Sequence, residues 1–223
     1  MILPAYCVVI PAFNAATFIG ETLAAVMAQS HPPAQVIIVD DGSSDDLRVA
    51  LGNIDAPLHL IRQENSGPGS ATTRGMAEVK TDFVATVDAD DLWEPQKIEQ
   101  QFPALLSGLA EISFTRMRIF GEDMHMVEDG EKKSGWSRST LLMHMETFHK
   151  VGPIEDMPGY RGEMVEWLAR ARALGVEMQM LEAPLAMRRI HKGSLSWQRD
   201  PAHDKGYMEI VLRAMRRRKD NGS

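Results

Sequence analysis

The chain has 223 residues, of which 44% are hydrophobic and 25% charged, and it carries a formal net charge of −7 and one cysteine. This length is sufficient for the core of one large domain or of two small ones. The net charge argues against a basic nucleic-acid-binding face, the cysteine count excludes an intrachain disulfide, and the lack of an apolar run of about 18 residues argues against a membrane-spanning helix.

The first half of the chain alternates between predicted strands and predicted helices. Short, β-branched apolar runs predict strands at 6–10, 35–39, 58–61 and 82–87. Helices are predicted at 17–30, 45–52, 70–80 and from the turn at Pro95 to about 107. This alternation is typical of the α/β class, with a mostly parallel central sheet and helices on both of its faces.

The second half of the chain has a less regular pattern. Alternating apolar residues predict a long, bent strand near 112–119 and an exposed edge strand near 176–182. The polar residues 121–137 predict a loop or hairpin, and helices are predicted at 139–150, 163–174 and 203–219. Because no repeat or linker is evident, we expect one domain over 1–223 with two unequal halves, 1–107 and 108–223.

Three predicted strands of the first half end in polar residues. They lead into Pro11-Ala12-Phe13-Asn14, Asp40-Asp41-Gly42-Ser43 and Asp88-Ala89-Asp90-Asp91. Open α/β sheets bind ligands beyond the carboxyl ends of their strands, so these segments would share one crevice. Taken singly, DDGSSD is also typical of a turn with a helix N-cap, and DADD of an acidic cap before the next helix. Their occurrence at one edge favours a shared ligand site.

Asp88, Asp90 and Asp91 place three carboxylates within four positions. Two carboxylates about 4 Å apart repel each other by ~1 kcal/mol in water and by several times more in a partly buried site. A divalent cation offsets this repulsion, and hard carboxylate oxygens suit Mg²⁺ and Mn²⁺. The cluster therefore predicts a Mn²⁺ or Mg²⁺ site.

Four ordered segments of the first half resemble the family 2 glycosyltransferases. They are VVIPAFN, VIIVDDGSSD, GPGSATTRG and FVATVDADDLWEPQKIEQQ, and weaker similarity continues in 135–156, 162–175 and 188–196. The resemblance implies the GT-A fold of nucleotide-diphospho-sugar transferases, with residues 1–107 binding the nucleotide sugar and residues 108–223 binding the acceptor. It also implies transfer of a sugar, with inversion, from a nucleotide-diphosphate donor to a sugar, glycan or lipid-linked acceptor.

The resemblance further implies which residues bind the donor. Asp88-Ala89-Asp90 matches the family's DxD element, in which Asp90 would ligate the metal and Asp88 would face the ribose or a metal-bound water. Phe13 would pack on the base, or else in the core, and Asp41 or Asp40 would accept a hydrogen bond from the base, with uracil expected. The implied nucleotide-binding residues are Pro11, Ala12, Phe13, Asn14, Asp40, Asp41, Asp88 and Ala89.

His191, in RRIHKGSLS, matches a family histidine that reaches the metal or the diphosphate. A neutral imidazole can ligate Mn²⁺, and a protonated one can pair with phosphate. The implied metal ligands are therefore Asp88, Asp90 and His191. The alternatives are a structural role for the histidine and, for Asp91, either an N-cap or support of its neighbours.

An inverting transfer requires a general base that takes the proton of the acceptor hydroxyl. The family usually supplies it from a Glu-Asp pair at the start of a helix, and the matching residues here are Glu163 and Met164. Because a thioether cannot accept this proton, Glu163 is the expected base and Glu166, one turn later, the second catalytic candidate. The alternative for Glu163 is that it only stabilises the helix N-terminus through the helix dipole. Glu155-Asp156 is a further acidic pair nearby.

Two further features concern the donor and the acceptor. Where the family often has Arg-Asn, this chain has Thr72-Thr73, and Arg74 would point elsewhere on a helix. Trp93 and Trp136 are expected to bind the acceptor, since aromatic faces suit sugar rings. Trp197 is a third candidate, and ordinary packing is the alternative for Trp93 and Trp197.

The predicted C-terminal helix ends in the basic run 216–219. This run would either stabilise a solvated helix end or contact an anionic membrane surface, where lipid-linked acceptors reside. Since the chain has one cysteine and no basic leader, we expect a reducing, cytoplasmic setting, with peripheral membrane contact as the alternative.

Two other functions fit parts of the sequence. Met164 and Thr72-Thr73 would suit a relative that binds a nucleotide or sugar without turnover. A nucleotidyltransferase would also hold its substrate on an α/β sheet, but PAFN is not the basic, glycine-rich loop that grips a triphosphate.

Overall fold

A computed structural model of the chain describes residues 2–52, 57–121, 133–157 and 162–193. Most of the predicted loop at 121–137, the predicted helix at 203–219 and Trp197 lie outside the described residues. Within those residues, no helix is long and apolar enough to cross a membrane.

The described residues form eight strands, six α-helices and one 3₁₀ turn. The strands are β1 (Tyr6–Ala12), β2 (Gln35–Asp40), β3 (Leu58–Arg62), β4 (Phe83–Thr86), β5 (Leu92–Trp93), β6 (Ile112–Gly121), β7 (Leu142–His144) and β8 (Met178–Ile190). The helices are α1 (Ile19–Met27), α2 (Leu47–Leu51), α3 (Pro68–Met76), α4 (Lys97–Leu106), α5 (Met145–Val151) and α6 (Glu163–Ala173), and the 3₁₀ turn is Arg138–Thr140.

All eight strands belong to one sheet with the order β3-β2-β1-β4-β7-β6-β8-β5. Strands β1 to β4 are mutually parallel where they pair, which confirms the predicted parallel arrangement of the first half. Strand β7 runs antiparallel to both of its neighbours, β8 is parallel to β6, and β5 is antiparallel to β8. The sheet is therefore parallel at one side and mixed at the other.

Strand β1 is buried on both faces because its side chains alternate between two hydrophobic clusters. Tyr6, Val8 and Ile10 belong to one cluster, which also contains residues of α1 and α4. Cys7 and Val9 belong to the other, which contains residues of α3, α5 and α6. Helices thus cover both faces of the sheet, as predicted, and the single cysteine is a buried packing residue.

Two predictions for the second half are corrected by the sheet. The predicted helix at 139–150 begins only at Met145, because Leu142 and Met143 pair with β4 and point into opposite clusters. The predicted edge strand near 176–182 continues to Ile190 between β6 and β5. Strand pairing decides the backbone here, although leucine and methionine are good helix formers.

Lys97, on α4, is fully buried below this sheet. Its Nζ donates to Gln101 Oε1 at 2.7 Å and lies 4.1 Å from the ring centroid of Trp93. No carboxylate among the described residues pairs with it. Burial lowers the pKa of Lys97 well below its ordinary value, because a low-dielectric site disfavours the charged amine.

This burial predicts how stability depends on pH. Lys97 in the unfolded chain stays protonated up to about pH 10.4, whereas in the folded state it loses its proton at a lower pH. Between these two pH values the unfolded state binds more protons, so the free energy of unfolding rises with pH by at most about 1.4 kcal/mol per unit. Between about pH 8 and 10 we therefore expect the wild type to gain stability relative to Lys97→Met, as measured by urea unfolding. Equal pH dependence of the two proteins would contradict this.

Candidate active site

The polar segments of the first half meet at one edge of the sheet, as predicted. Strand β1 lies between β2 and β4, with Ala12 opposite Asp40 and Val9 opposite Thr86. The residues that follow these strands therefore leave the sheet side by side. The Ala89 carbonyl also accepts a hydrogen bond from Thr22 on α1 at 2.9 Å, which fixes the acidic loop against that helix.

The segment after β1 is fastened to the segment after β2. Asn14 adopts a φ of 50°, a conformation that asparagine tolerates, and its Oδ1 accepts a hydrogen bond from Ser44 N at 2.8 Å. Ser43 Oγ accepts one from Asn14 N at 2.9 Å. Pro11 and Ala12 are buried at the end of β1, whereas Phe13 is 52% exposed. This exposure excludes core packing for Phe13 and leaves its ring available to a ligand.

Asp40 and Asp41 are buried carboxylates with many donors around them. Asp40 accepts from Ser43 N at 2.8 Å and from Arg62 Nη1 at 2.9 Å. Asp41 has three donors, Gln63 Nε2 at 2.7 Å, Ser66 N at 2.9 Å and Gly67 N at 2.8 Å. Both residues therefore shape the loops around the crevice, and contact of either one with a base stays a prediction.

Asp91 supports the acidic loop from inside. It is 2% exposed, and its two oxygens accept from Ser139 Oγ at 2.5 Å and from Arg189 N at 2.8 Å. Burial, followed by repulsion from Asp90 and Asp88, raises the pKa of Asp91 well above its ordinary value. Of the two roles open to Asp91, the geometry favours support of its neighbours.

Asp90 and His191 lie side by side at the mouth of the site. Asp90 Oδ2 is 3.1 Å from His191 Nε2, and the imidazole packs on Phe18 with ring centroids 4.4 Å apart. Burial, followed by the charge of Asp88, raises the pKa of Asp90, and His191 opposes this shift. The long strand β8 delivers this histidine, since its last residues pass directly behind the acidic loop.

The donor atoms present fit a cation that is shared with a phosphorylated ligand. The described residues contain no group of three or more His, Cys, Asp or Glu side chains placed to hold a metal alone. Mg²⁺ sites of this kind commonly use one or two carboxylates and take their other ligands from water and substrate phosphates. Asp90 with His191 meets this requirement, while Asp88 faces an arginine instead.

That arginine is Arg138, a residue that the sequence analysis did not single out. It is 8% exposed, its Nε donates to Asp88 Oδ1 at 2.8 Å, and its Nη1 donates to Glu163 Oε1 at 2.7 Å. Burial alone lowers the pKa of Arg138, but the charges of Asp88 and Glu163 raise it by more, so the net direction is upward. One guanidinium therefore joins the acidic loop of the first half to helix α6 of the second.

The 3₁₀ turn that carries Arg138 also holds the acidic loop. Thr86 Oγ1 donates to the Arg138 carbonyl at 2.7 Å, and Ser139 Oγ accepts from Asp88 N at 3.1 Å. Trp93 Nε1 donates to the Ser139 carbonyl at 2.6 Å. The loop is thus fixed from Thr86 to Trp93 by hydrogen bonds to one short segment of the second half.

Helix α6 presents its two glutamates to different neighbours. Glu163, its first residue, is 7% exposed and faces Arg138, whereas Met164 is packed in the core. Glu166 accepts from Arg170 Nε at 2.9 Å, and Arg170 also donates to the Val151 carbonyl at 2.8 Å. Through Arg170, Glu166 therefore helps to fasten α6 to the end of α5, and a catalytic role for Glu166 stays a prediction.

Asp156 caps helix α3 from the second half. Its Oδ1 and Oδ2 accept from Gly69 N at 2.8 Å and Ser70 N at 2.7 Å, and burial raises its pKa. A Cβ on Gly67, whose φ is +99°, would lie 2.5 Å from the Asp156 carboxyl carbon. Glycine is therefore required there. The helix N-terminus is already satisfied by a protein carboxylate.

The Thr72-Thr73 departure has a structural counterpart next to this cap. Thr73 Oγ1 accepts from Ile154 N at 2.9 Å and donates to Ile154 O at 3.1 Å, so it too joins the two halves. Thr72 is buried and donates to the Pro68 carbonyl at 2.6 Å. Arg74 pairs with Glu78 on the surface at 3.6 Å and therefore does not compensate for the missing arginine.

The two predicted acceptor tryptophans have different surroundings. Trp93 is 3% exposed and packs under Lys97, which favours the alternative of ordinary packing over contact with the acceptor. Trp136 is 37% exposed, rests on Phe114 at a centroid distance of 4.9 Å, and has the Arg172 guanidinium 5.0 Å from its centroid. Only part of its ring is therefore open to a ligand.

Comparison with known proteins identifies relatives of this chain. The model of the family described as "Glycosyl transferase family 2" matches residues 7–168. The chain is 34% identical over 124 residues to TuaG of Bacillus subtilis, a protein named for teichuronic acid biosynthesis, covering 54% of this chain and 49% of TuaG. It is 36% identical over 97 residues to an uncharacterized glycosyltransferase of Nostoc sp., covering 42% of this chain and 30% of that protein. The chain thus spans half or less of the length of these relatives.

Two solved structures share the fold. S. aureus TarS 1–349, in complex with UDP-GlcNAc, superposes with a TM-score of 0.75 at 16% identity, covering 94% of this chain and 65% of that one. The mannosyltransferase PcManGT of Pyrobaculum calidifontis, in complex with GDP-Man and Mn²⁺, has a TM-score of 0.75 at 16% identity, covering 97% and 65%. These similarities confirm the predicted GT-A architecture.

Proposed function

Because the chain belongs to glycosyltransferase family 2, we propose that it is an inverting, metal-assisted enzyme that transfers a sugar from a nucleotide-diphosphate donor. UDP is the expected nucleotide, and the expected acceptor is a sugar, glycan or lipid-linked glycan. We also propose the division predicted above, in which residues 1–107 bind the donor and residues 108–223 the acceptor.

The arrangement of Asp88, Asp90, His191 and Glu163 around one edge of the sheet carries this proposal. Asp90 and His191 would hold Mn²⁺ or Mg²⁺ together with the donor's diphosphate. When bound, this cation stabilises the negative charge that grows on a diphosphate leaving group. PcManGT was solved with both Mn²⁺ and a nucleotide sugar, which supports use of a divalent metal here.

The nucleotide would lie along the segments after β1 and β2. The exposed ring of Phe13 would pack on the base, and the carboxylate of Asp41 would accept a hydrogen bond from it. The carboxylate of Asp88 would face the ribose, while Arg138 limits its rotation. The acceptor would enter on the side of α6, where the open part of Trp136 offers an aromatic surface.

Glu163 would serve as the general base. In a single displacement the acceptor oxygen attacks the anomeric carbon, the bond from that carbon to the phosphate oxygen breaks, and Glu163 takes the hydroxyl proton. Inversion follows because the attack occurs opposite the leaving nucleotide. The guanidinium that joins its carboxylate to Asp88 would keep this base beside the bound donor.

A non-catalytic nucleotide-binding relative is the second candidate, and Met164 favours it. This methionine occupies the position of the acid that the family usually credits as base, and it is packed in the core. Localisation is a separate proposal, in which the enzyme works in the cytoplasm at or near the membrane that carries lipid-linked acceptors.

Nucleotide binding provides the first test. With UDP, GDP, CDP or dTDP at about 100 times its dissociation constant, the bound form gains roughly 2.7 kcal/mol, which corresponds to a thermal shift on the order of 5–10 °C for a chain of this size. We expect UDP with Mn²⁺ to give the largest shift and UDP alone to give little. Nucleotide release from a panel of nucleotide sugars then separates the enzyme from the non-catalytic binder. A shift of equal size without metal would contradict the proposed site.

A further inference from the structure

We propose that Arg138 is a positioning residue for the transfer reaction, which acts by holding the base Glu163 at a fixed place relative to the donor-binding carboxylate Asp88. This inference rests on the proposed function, because it takes Glu163 as the base. It adds a residue that neither the DxD element nor the acidic helix start contains.

The geometry of the bridge supports this role. A guanidinium is a rigid, planar fork, and here Nε bonds Asp88 at 2.8 Å while Nη1 bonds Glu163 at 2.7 Å. Both bonds are charge-assisted and have the short distances of strong ones. Because the fork cannot bend, the carboxylate on the acidic loop sets the position of the carboxylate on α6.

The backbone of Arg138 is held as firmly as its side chain. Its carbonyl accepts from Thr86 Oγ1 at 2.7 Å, and the next residue, Ser139, bonds both Asp88 N and Asp91 Oδ2. The acidic loop, the arginine and the glutamate therefore form one connected unit. A shift of about 1 Å in such a unit is sufficient to lower a reaction rate by roughly 10²-fold.

The charges of the site lead to the same assignment. The side chain of Glu163 is nine-tenths buried, and within the described residues, which leave out 158–161, Arg138 is the cation that pairs with it. Removing the arginine would leave a buried carboxylate without its counter-charge, and the glutamate would turn toward water. The base would then be present but displaced from the acceptor hydroxyl.

A double-mutant cycle tests the proposal through kinetics. The variants are Arg138→Met, Glu163→Gln and the two combined, with Arg116→Met as control, since Arg116 bonds Glu182 at 2.8 Å on the surface. The probe is the nucleotide sugar of the panel that the wild type hydrolyses fastest. We expect Arg138→Met to lower kcat about 10²-fold with KM for the donor within about threefold, and the control to leave both unchanged.

The decisive comparison is between the double variant and Glu163→Gln. If Arg138 acts through Glu163, the double variant is no slower than Glu163→Gln alone, because no base is left whose position the arginine could affect. Losses that multiply would overturn the proposal. A large rise in KM in Arg138→Met would overturn it too, since the arginine would then serve donor binding.

An activity-free measurement checks the ion pair itself. Arg138→Met should lower the thermal midpoint by about 5–10 °C, because Asp88 and the more deeply buried Glu163 both lose their counter-charge, and adding Glu163→Gln should restore the part of that loss that comes from Glu163. Equal thermal midpoints for Arg138→Met and for the double variant would show that the ion pair between Arg138 and Glu163 is absent, and would overturn the inference. If the pair is present but the wild type turns over no donor, the proposed function fails, and the positioning role fails with it.

Discussion

Replacement of Asp90 by alanine is expected to abolish the Mn²⁺-dependent thermal shift with UDP and to lower turnover by at least about 10³-fold. Asp88 is bonded to Arg138, and Asp91 is buried between Ser139 and Arg189. Asp90 instead faces His191 at 3.1 Å, which places a carboxylate and an imidazole together at the mouth of the site. Loss of Asp90 leaves one protein ligand, which is too few to hold a diphosphate-bound cation in place.

Thermal shifts with and without Mn²⁺, together with nucleotide release from the best donor, measure this effect. Glu78→Gln is a suitable control, because Glu78 pairs with Arg74 on the surface at the far end of α3. The midpoint of ligand-free Asp90→Ala should be unchanged or higher, since the substitution removes repulsion between neighbouring carboxylates. A metal-dependent UDP shift that persists in Asp90→Ala would place the cation elsewhere.

Glu163→Gln is expected to lower kcat by about 10²- to 10⁴-fold while donor binding is retained. The glutamine carbonyl can still accept the hydrogen bond from Arg138, so the bridge to Asp88 survives in a weaker form. An amide cannot take the hydroxyl proton, so the loss should appear in kcat and leave the metal-dependent UDP shift in place.

Glu166→Gln gives a matched control three positions later on the same helix. Glu166 is 2% exposed, against 7% for Glu163, and bonds Arg170, so its replacement should lower the thermal midpoint and leave kcat nearly unchanged. If Glu163→Gln retains wild-type kcat, or if Glu166→Gln loses as much activity as Glu163→Gln, the base has been assigned to the wrong residue.

The part of the candidate site that comes from the first half was predictable because its signals are local. Strands β1 to β4 are short apolar runs, and each polar segment directly follows its strand in sequence. Once the strands are parallel, the segments after β1, β2 and β4 must lie at one edge. The sequence therefore sufficed to place Asp40, Asp41 and the acidic cluster together.

The second half was harder to predict because its roles depend on distant partners. Arg138 follows a predicted loop, and an arginine in such a place is usually a surface residue. Its burial becomes evident only from its two partners, the carboxylates of Asp88 and Glu163, which belong to other elements. Trp93 and Glu166 were assigned to the site for their chemistry, but Lys97 and Arg170 engage them in the interior. Strand β7 has the composition of a helix and is a strand because β4 and β6 flank it.

The cap on α3 has a consequence for exchanging parts of this chain with those of its relatives. The amides of Gly69 and Ser70 and the hydroxyl of Thr73 all find their partners in the segment 154–156. A chimera that joins residues 1–107 to the second half of another member of the family would leave these groups without partners, unless the segment 154–156 were transplanted too. Any such exchange should therefore cut the chain after Asp156, so that the segment 154–156 stays with helix α3 and the first half.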